Sequence, residues 1–230
     1  MRKTLIMIPA FGCDSGLYAE VAAGLDVDVI THVTREASYD AMVAALLSQA
    51  PEQFIVLGTS MGGRLALEVA LAAPERVEGL VVIGAGAGGV ADPTAGLRRS
   101  SRLRGGEMEG VLAEMGEMVA HLPGPRGPAT RDAFIAMGRR TGAEVMARQS
   151  DASAGRVDRL ERLPEITCPT LCLWGEHDQF SPAADGRRHA EGVEWGVYVE
   201  LPNCGHFPTL EFPAESVQVL RGWLDEEFYD

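Results

Sequence analysis

Three observations predict an α/β fold with a mostly parallel, doubly wound sheet of about six strands. Six short apolar runs of β type recur along the chain, helical patterns fall between most of them, and one long interval carries helices alone. Alternation of this kind places parallel strands beneath helices on both faces. The helix-only interval, at about residues 91–164, reads as a lid over the carboxyl ends of the strands, where α/β proteins bind ligands. With 230 residues, 46% hydrophobic and 23% charged, the chain is expected to form a single globular domain over 1–230.

The elements follow in order. Met1-Arg2-Lys3 ahead of Thr4–Ile8 has the basic end and apolar run of a signal peptide in miniature. Pro9 and Gly12 cut that run short and Asp14 follows, so a first strand is the better reading. Val27–Val33 is the second strand, and Ser38 opens a helix that runs to Gln49. Phe54–Leu57 is the third strand, followed by a helix over Met61–Ala73. Ala73-Pro74 closes that helix, because the residue before proline is pushed out of helical geometry. Gly79–Ile83 is the fourth strand. In the lid interval, helical stretches near Gly106–Ala120 and Thr130–Ser150 flank a proline- and glycine-rich turn at 122–128. Thr170–Trp174 and Val197–Leu201 supply the last two strands, with helices at Asp185–Glu191 and Ala214–Glu227. Pro213 stands at the first-turn position of the last helix.

Bulk properties exclude several functions. A formal charge of −13 argues against nucleic acid or an anionic membrane as partner, and no run approaches the length of a membrane span. The charge is uneven: Leu97 to Leu163 holds 12 Arg against 9 Asp and Glu. Lys3 is the only lysine among 20 basic residues, a bias that reads as a GC-rich, bacterial genome. Cys168 and Cys172 are too far apart along one strand to bridge. Cys13 and Cys204 stand apart from any cluster that would ligate a metal. A reducing cytoplasm is therefore expected, with neither metal nor cofactor.

The chemistry centres on Gly58-Thr59-Ser60-Met61-Gly62, between an apolar strand and a helix pattern. In that context a G-x-S-x-G match describes a tight turn whose flanking positions must lack side chains. The serine hydroxyl is then held at the strand end over a helix amino terminus, where developing negative charge is favoured. Serine needs a histidine base, itself oriented by a carboxylate. Asp178 lies just past the strand ending at Trp174, and His206 lies in the loop after Leu201. Glu176 and Asp92 compete with Asp178 for the acid role; Asp178 is preferred because its position lets the loop turn back toward His206. His177 is expected to point away.

With Ser60, Asp178 and His206 in this order, the chain resembles the α/β-hydrolase family along essentially its whole length. Pro9-Ala10-Phe11-Gly12 is similar to the family's oxyanion loop, though Pro9-Ala10 stands where His-Gly is frequent. The resemblance implies an oxyanion hole made by the backbone N–H groups of Phe11 and Met61. It also implies about six strands rather than eight, since the chain starts directly on the oxyanion-loop strand. The implied activity is a cofactor-free serine hydrolase, a carboxylic ester hydrolase acting on a small substrate. Thioester or carbon–carbon bond hydrolysis, perhydrolysis and hydroxynitrile lysis use similar triads and stay open, as does a non-catalytic binding protein on the same scaffold. Ser60 argues against dehalogenase or epoxide hydrolase chemistry.

The remaining candidates concern the substrate. Met108, Met115, Met118, Met137 and Met146 are expected to pack the lid. Most lid arginines are expected to be solvated, with Arg148 the candidate to face the pocket and pair with a substrate carboxylate. Phe207, beside His206, is a second candidate substrate contact. Cys13 and Cys204 are expected near the site mouth without a chemical role.

Overall fold

The computed structural model describes residues 2–229; Met1, at the head of the first basic run, and Asp230, at the end of the expected domain, lie outside the described residues. Strand β1 (Thr4–Ile8) is followed by a 3₁₀ turn and helix α1 (Ala19–Gly24), then β2 (Asp28–Thr31), α2 (Tyr39–Gln49), β3 (Phe54–Thr59), α3 (Met61–Ala72) and β4 (Val77–Ile83). Four helices come next: α4 (Pro93–Arg104), α5 (Met108–Gly116), α6 (Gly127–Thr141) and α7 (Ala143–Ala154). The chain returns to the sheet through a 3₁₀ turn into β5 (Thr170–Gly175), α8 (Ala183–Glu191), β6 (Gly196–Leu201), α9 (Pro208–Glu211) and α10 (Pro213–Phe228).

The six strands form one all-parallel sheet in the order β2-β1-β3-β4-β5-β6. Every residue of β3 and β5 is buried, whereas the edge strands β2 and β6 are half exposed. That is the burial expected of a sheet covered by helices on both faces, whose inner strands read as continuous apolar runs. After β2 the chain crosses back and lays β3 on the other side of β1, creating a topological switch point. Ile8 there pairs in register with Gly58, so the loops leaving β1 and β3 open side by side at the carboxyl edge. The register carries on across the sheet through Thr59 with Ile83, Ile83 with Leu173 and Gly175 with Leu201.

The helical insert differs from its sequence pattern. Two stretches were expected and four helices are observed. The 130–150 stretch is split at Gly142, whose φ of +83° is left-handed backbone that favours glycine and ends α6. The first helix, α4, has a polar, arginine-rich surface with little apolar periodicity. It is set instead by its start, where the Asp92 carboxylate accepts the Thr94 N–H at 2.9 Å ahead of Pro93 in the first turn. Helices α4 and α7 pack along each other, and α5 packs on α6. Met137 and Met146 are buried, Met108 and Met115 are partly buried against the core, and Met118 is exposed.

Candidate active site

The turn after β3 holds Ser60 at φ 55°, ψ −116°, a strained conformation for a residue with a side chain. Close backbone contact forces it. A Cβ on Gly58 would sit 2.0 Å from the Gly62 carbonyl oxygen, and one on Gly62 would sit 2.0 Å from the Ile8 oxygen. The elbow is tied down by Ser60 N–H donating to Ile83 O at 2.7 Å. The Ser60 backbone leads straight into α3, of which Met61 is the first residue, so the Met61 amide lies among the free donors at the helix start.

Asp178 and His206 meet across the ends of β5 and β6. His206 Nδ1 lies 2.7 Å from Asp178 Oδ2, and both side chains are buried. The other carboxylate oxygen of Asp178 accepts the Phe180 and Ser181 N–H groups at 2.8 and 2.9 Å. That arrangement fixes the carboxylate as an acceptor toward the ring and leaves Nε2 as the free ring nitrogen. Gly84, at the end of β4, makes room for the pair; a Cβ there would stand 3.0 Å from both Asp178 Oδ2 and His206 Nδ1. Ser60, His206, Phe11 and Met61 line one cavity of about 350 Å³ beneath the helical insert. No acceptor among the described residues takes the Phe11 or Met61 N–H.

The competing carboxylates are occupied elsewhere. Glu176 is exposed and accepts the Asn203 N–H; Asp92 caps α4 and pairs with Arg98 at 3.0 Å. His177 stacks on His121 with ring centroids 4.1 Å apart and does not line the cavity. Cys13 and Cys204 are fully buried with thiol pKa values pushed up, chiefly by that burial, and neither lines the cavity.

Two expected substrate contacts are not in the cavity. Arg148 is about half exposed and bonds Glu144 one turn earlier on α7 at 2.9 Å, so it faces solvent. Phe207 is 1% exposed and packs against Phe134 and the His206 ring with centroids 6.1 and 5.3 Å apart. It is part of the core behind the histidine. Phe180 occupies the cavity side of His206 instead, 4.9 Å between centroids.

Two supporting residues had no motif to mark them. Glu211 Oε2 accepts the N–H groups of Gly205 at 2.9 Å and His121 at 2.8 Å, while its Oε1 accepts Phe207 N–H at 3.2 Å. It therefore brackets His206 from both sides; burial raises its carboxyl pKa against the pull of these three donors. Gln149, buried on α7, accepts Gly12 N–H at 2.9 Å and donates to Thr34 O at 3.0 Å. Glu211 stands out in the sequence as a carboxylate between Leu210 and Phe212, whereas Gln149, between Arg148 and Ser150, carries no such signal.

A family model described as "Alpha/beta hydrolase family" matches residues 8–219. The chain belongs to the alpha/beta hydrolase family. Among solved structures, this chain superposes on a thermophilic esterase from Thermogutta terrifontis with a TM-score of 0.88 and 23% identity, covering 97% of this chain and 90% of that one. It superposes on the enol-lactonase from Burkholderia xenovorans LB400 with the same TM-score of 0.88 at 19% identity, covering 97% and 92%. At these identities the likeness concerns the fold. In sequence the chain is 34% identical over 169 residues to a 2-hydroxy-6-oxononadienedioate/2-hydroxy-6-oxononatrienedioate hydrolase of Cupriavidus pinatubonensis, an alignment that covers 70% of this chain and 58% of that protein. A counterpart from Paraburkholderia xenovorans is 31% identical, covering 75% and 62%. The chain thus spans less than two thirds of these relatives' length. No helix of the described residues is long and apolar enough to cross a membrane.

Proposed function

We propose that this protein is a serine hydrolase that cleaves carboxylic esters of small substrates through an acyl-enzyme on Ser60. The observation that carries the reading is the buried 2.7 Å contact between His206 and Asp178 beside a strained serine elbow in one cavity. His206 Nε2 takes the Ser60 proton as Oγ attacks the acyl carbonyl, and later returns it to the leaving alcohol. Asp178 holds the ring in the tautomer that presents Nε2 and stabilises the imidazolium that forms. The Phe11 and Met61 amides receive the oxyanion, each contributing on the order of a few kcal/mol. Water then releases the acid by the same path. Helices α4–α7 act as the lid that shapes the pocket.

A fluorophosphonate probe should label the wild-type protein and not Ser60→Ala, and a panel of p-nitrophenyl esters should be turned over only by the former. An unlabelled wild type without ester turnover would point to a binding protein on this scaffold.

A second reading is carbon–carbon bond hydrolysis of a 2-hydroxy-6-oxo dienoate. It is supported by the names of the sequence relatives and would use the same residues. Comparing kcat/KM for such a dienoate, followed by loss of its conjugated absorbance, with that for the esters separates the two.

A further inference from the structure

The arginines of the helical insert fall into two groups. Of the 12 between Leu97 and Leu163, ten lie within 4.0 Å of a carboxylate of the described residues. The two that do not are Arg99 and Arg156, and both line the cavity over Ser60. Solvent-facing arginines are paired; cavity-facing ones are not.

Arg99 is the better placed of the two. Its guanidinium lies 4.8 Å over the Phe11 ring, its Nε donates to Ser150 Oγ at 2.8 Å, and Nη1 touches Met115 Sδ at 3.6 Å. These contacts fix the plane of the group and leave Nη2 without an acceptor among the described residues. Burial lowers its pKa, yet a guanidinium keeps its proton in any protein site. Neither nearby acid pairs with it: Asp92 is committed to Arg98, and Asp185, also on the cavity wall, has no arginine of the described residues within 4.0 Å of its carboxylate. Arg156 and Arg188, also on the cavity wall, add positive charge. An uncompensated charge in a partly desolvated cavity is costly unless a ligand supplies the counter-ion.

We propose that Arg99 is a substrate-recognition residue and that the substrate of the Ser60 site carries a carboxylate. Phe11 links the two ends of that substrate. Its amide faces the reacting carbonyl and its ring carries the guanidinium, so the carboxylate sits a short linker away from the scissile bond. A planar fork with a free edge suits a carboxylate, which it can grip by two parallel hydrogen bonds. This assignment rests on the serine hydrolase reading of the cavity.

The test compares p-nitrophenyl hemiglutarate with p-nitrophenyl butyrate, and measures glutarate binding by calorimetry. In Arg99→Met the ratio of kcat/KM for the acidic over the neutral ester should fall at least tenfold, and glutarate binding should weaken in parallel. Arg99→Lys, which keeps the charge and loses the fork, should recover part of the ratio and guards against a misfolded methionine variant. Arg148→Met, outside the cavity, should leave the ratio unchanged. Equal losses on both esters, or glutarate binding that is absent in the wild type or unaltered in Arg99→Met, would overturn the proposal. Absence of labelling and of ester turnover in a wild type that still binds glutarate through Arg99 would instead remove the hydrolase reading and keep the anion site.

Discussion

The Gln149 side chain accepts the Gly12 N–H at 2.9 Å, joining the middle of α7 to the loop that carries the Phe11 amide. Thr141 Oγ1 adds a bond to Gly12 O at 3.1 Å, and Arg140 pairs with Asp14 at 2.7 Å. The helical insert and the loop after β1 therefore share one hydrogen-bonded seam.

Gln149→Leu should unpair Gly12 N–H and Thr34 O inside the protein, at about 1–3 kcal/mol for each buried group left unsatisfied. A loosened Phe11 amide should show as a fall in kcat of roughly tenfold with a smaller change in KM. Steady-state kinetics on one ester, with a thermal melt, check both parts. A variant that melts lower yet keeps its kcat would show that the seam is purely structural.

Glu211→Gln replaces an acceptor-only carboxylate by an amide with one acceptor oxygen. Three N–H donors then meet a group that can satisfy one side of His206 only. We expect kcat/KM to fall about 10²-fold and the pH dependence of activity to shift, because the ring nitrogen moves relative to Asp178. Glu211→Asp, which keeps the charge, should rescue in part. Unchanged pH profiles across the three proteins would count against this positioning role.

Glycines at two sites should respond oppositely to alanine. Gly62→Ala drives a Cβ to 2.0 Å from Ile8 O, so the elbow cannot close and folded protein should not be recovered. Gly222, in α10, has nothing within 4 Å of an added Cβ. Gly222→Ala should stabilise by about 0.5–1 kcal/mol, read from denaturant midpoints.

Acid sensitivity should come in part from His189 on α8. Its ring is fully buried, Nδ1 faces Ala85 O at 3.4 Å and Nε2 has no partner among the described residues. Burial pulls its pKa from 6.5 to about 4. Between these values the unfolded chain binds a proton that the native state refuses, so stability declines as pH falls from 6.5 toward 4. The decline should approach about 3 kcal/mol. His189→Leu should flatten that slope in urea titrations at graded pH; an unaltered slope would assign the acid limb to other groups.

The strands and the elbow were legible because their signals are local. A fully buried parallel strand must be a short apolar run, and the glycines at 58 and 62 are demanded by backbone contacts that any such turn makes. The helix α4 was not legible, since its arginines and small residues carry no apolar stripe and its start depends on one capping aspartate. The α6–α7 break hung on a single left-handed glycine within an otherwise helical pattern. Arg148 was expected at the pocket and lies outside it, while Arg99 lines it, for a related reason. Both sit in lid helices, and sequence spacing alone does not say which face a helix turns toward a cavity made by distant segments. Glu211 and Gln149 work through backbone atoms, close by at Gly205 and Phe207 and far along the chain at His121, Gly12 and Thr34, which no side-chain motif records.

The edge position of β6 has a consequence for how the molecule fails. His206 follows an edge strand whose residues are mostly half-buried, while Ser60 follows one that is wholly buried. Opening free energies within one protein range from nearly nothing at edges to the global value in the core. Heat or denaturant should therefore separate the base from its serine before the sheet melts. His206, the base of the proposed mechanism, should leave its place first, and activity should fall while most of the core still stands.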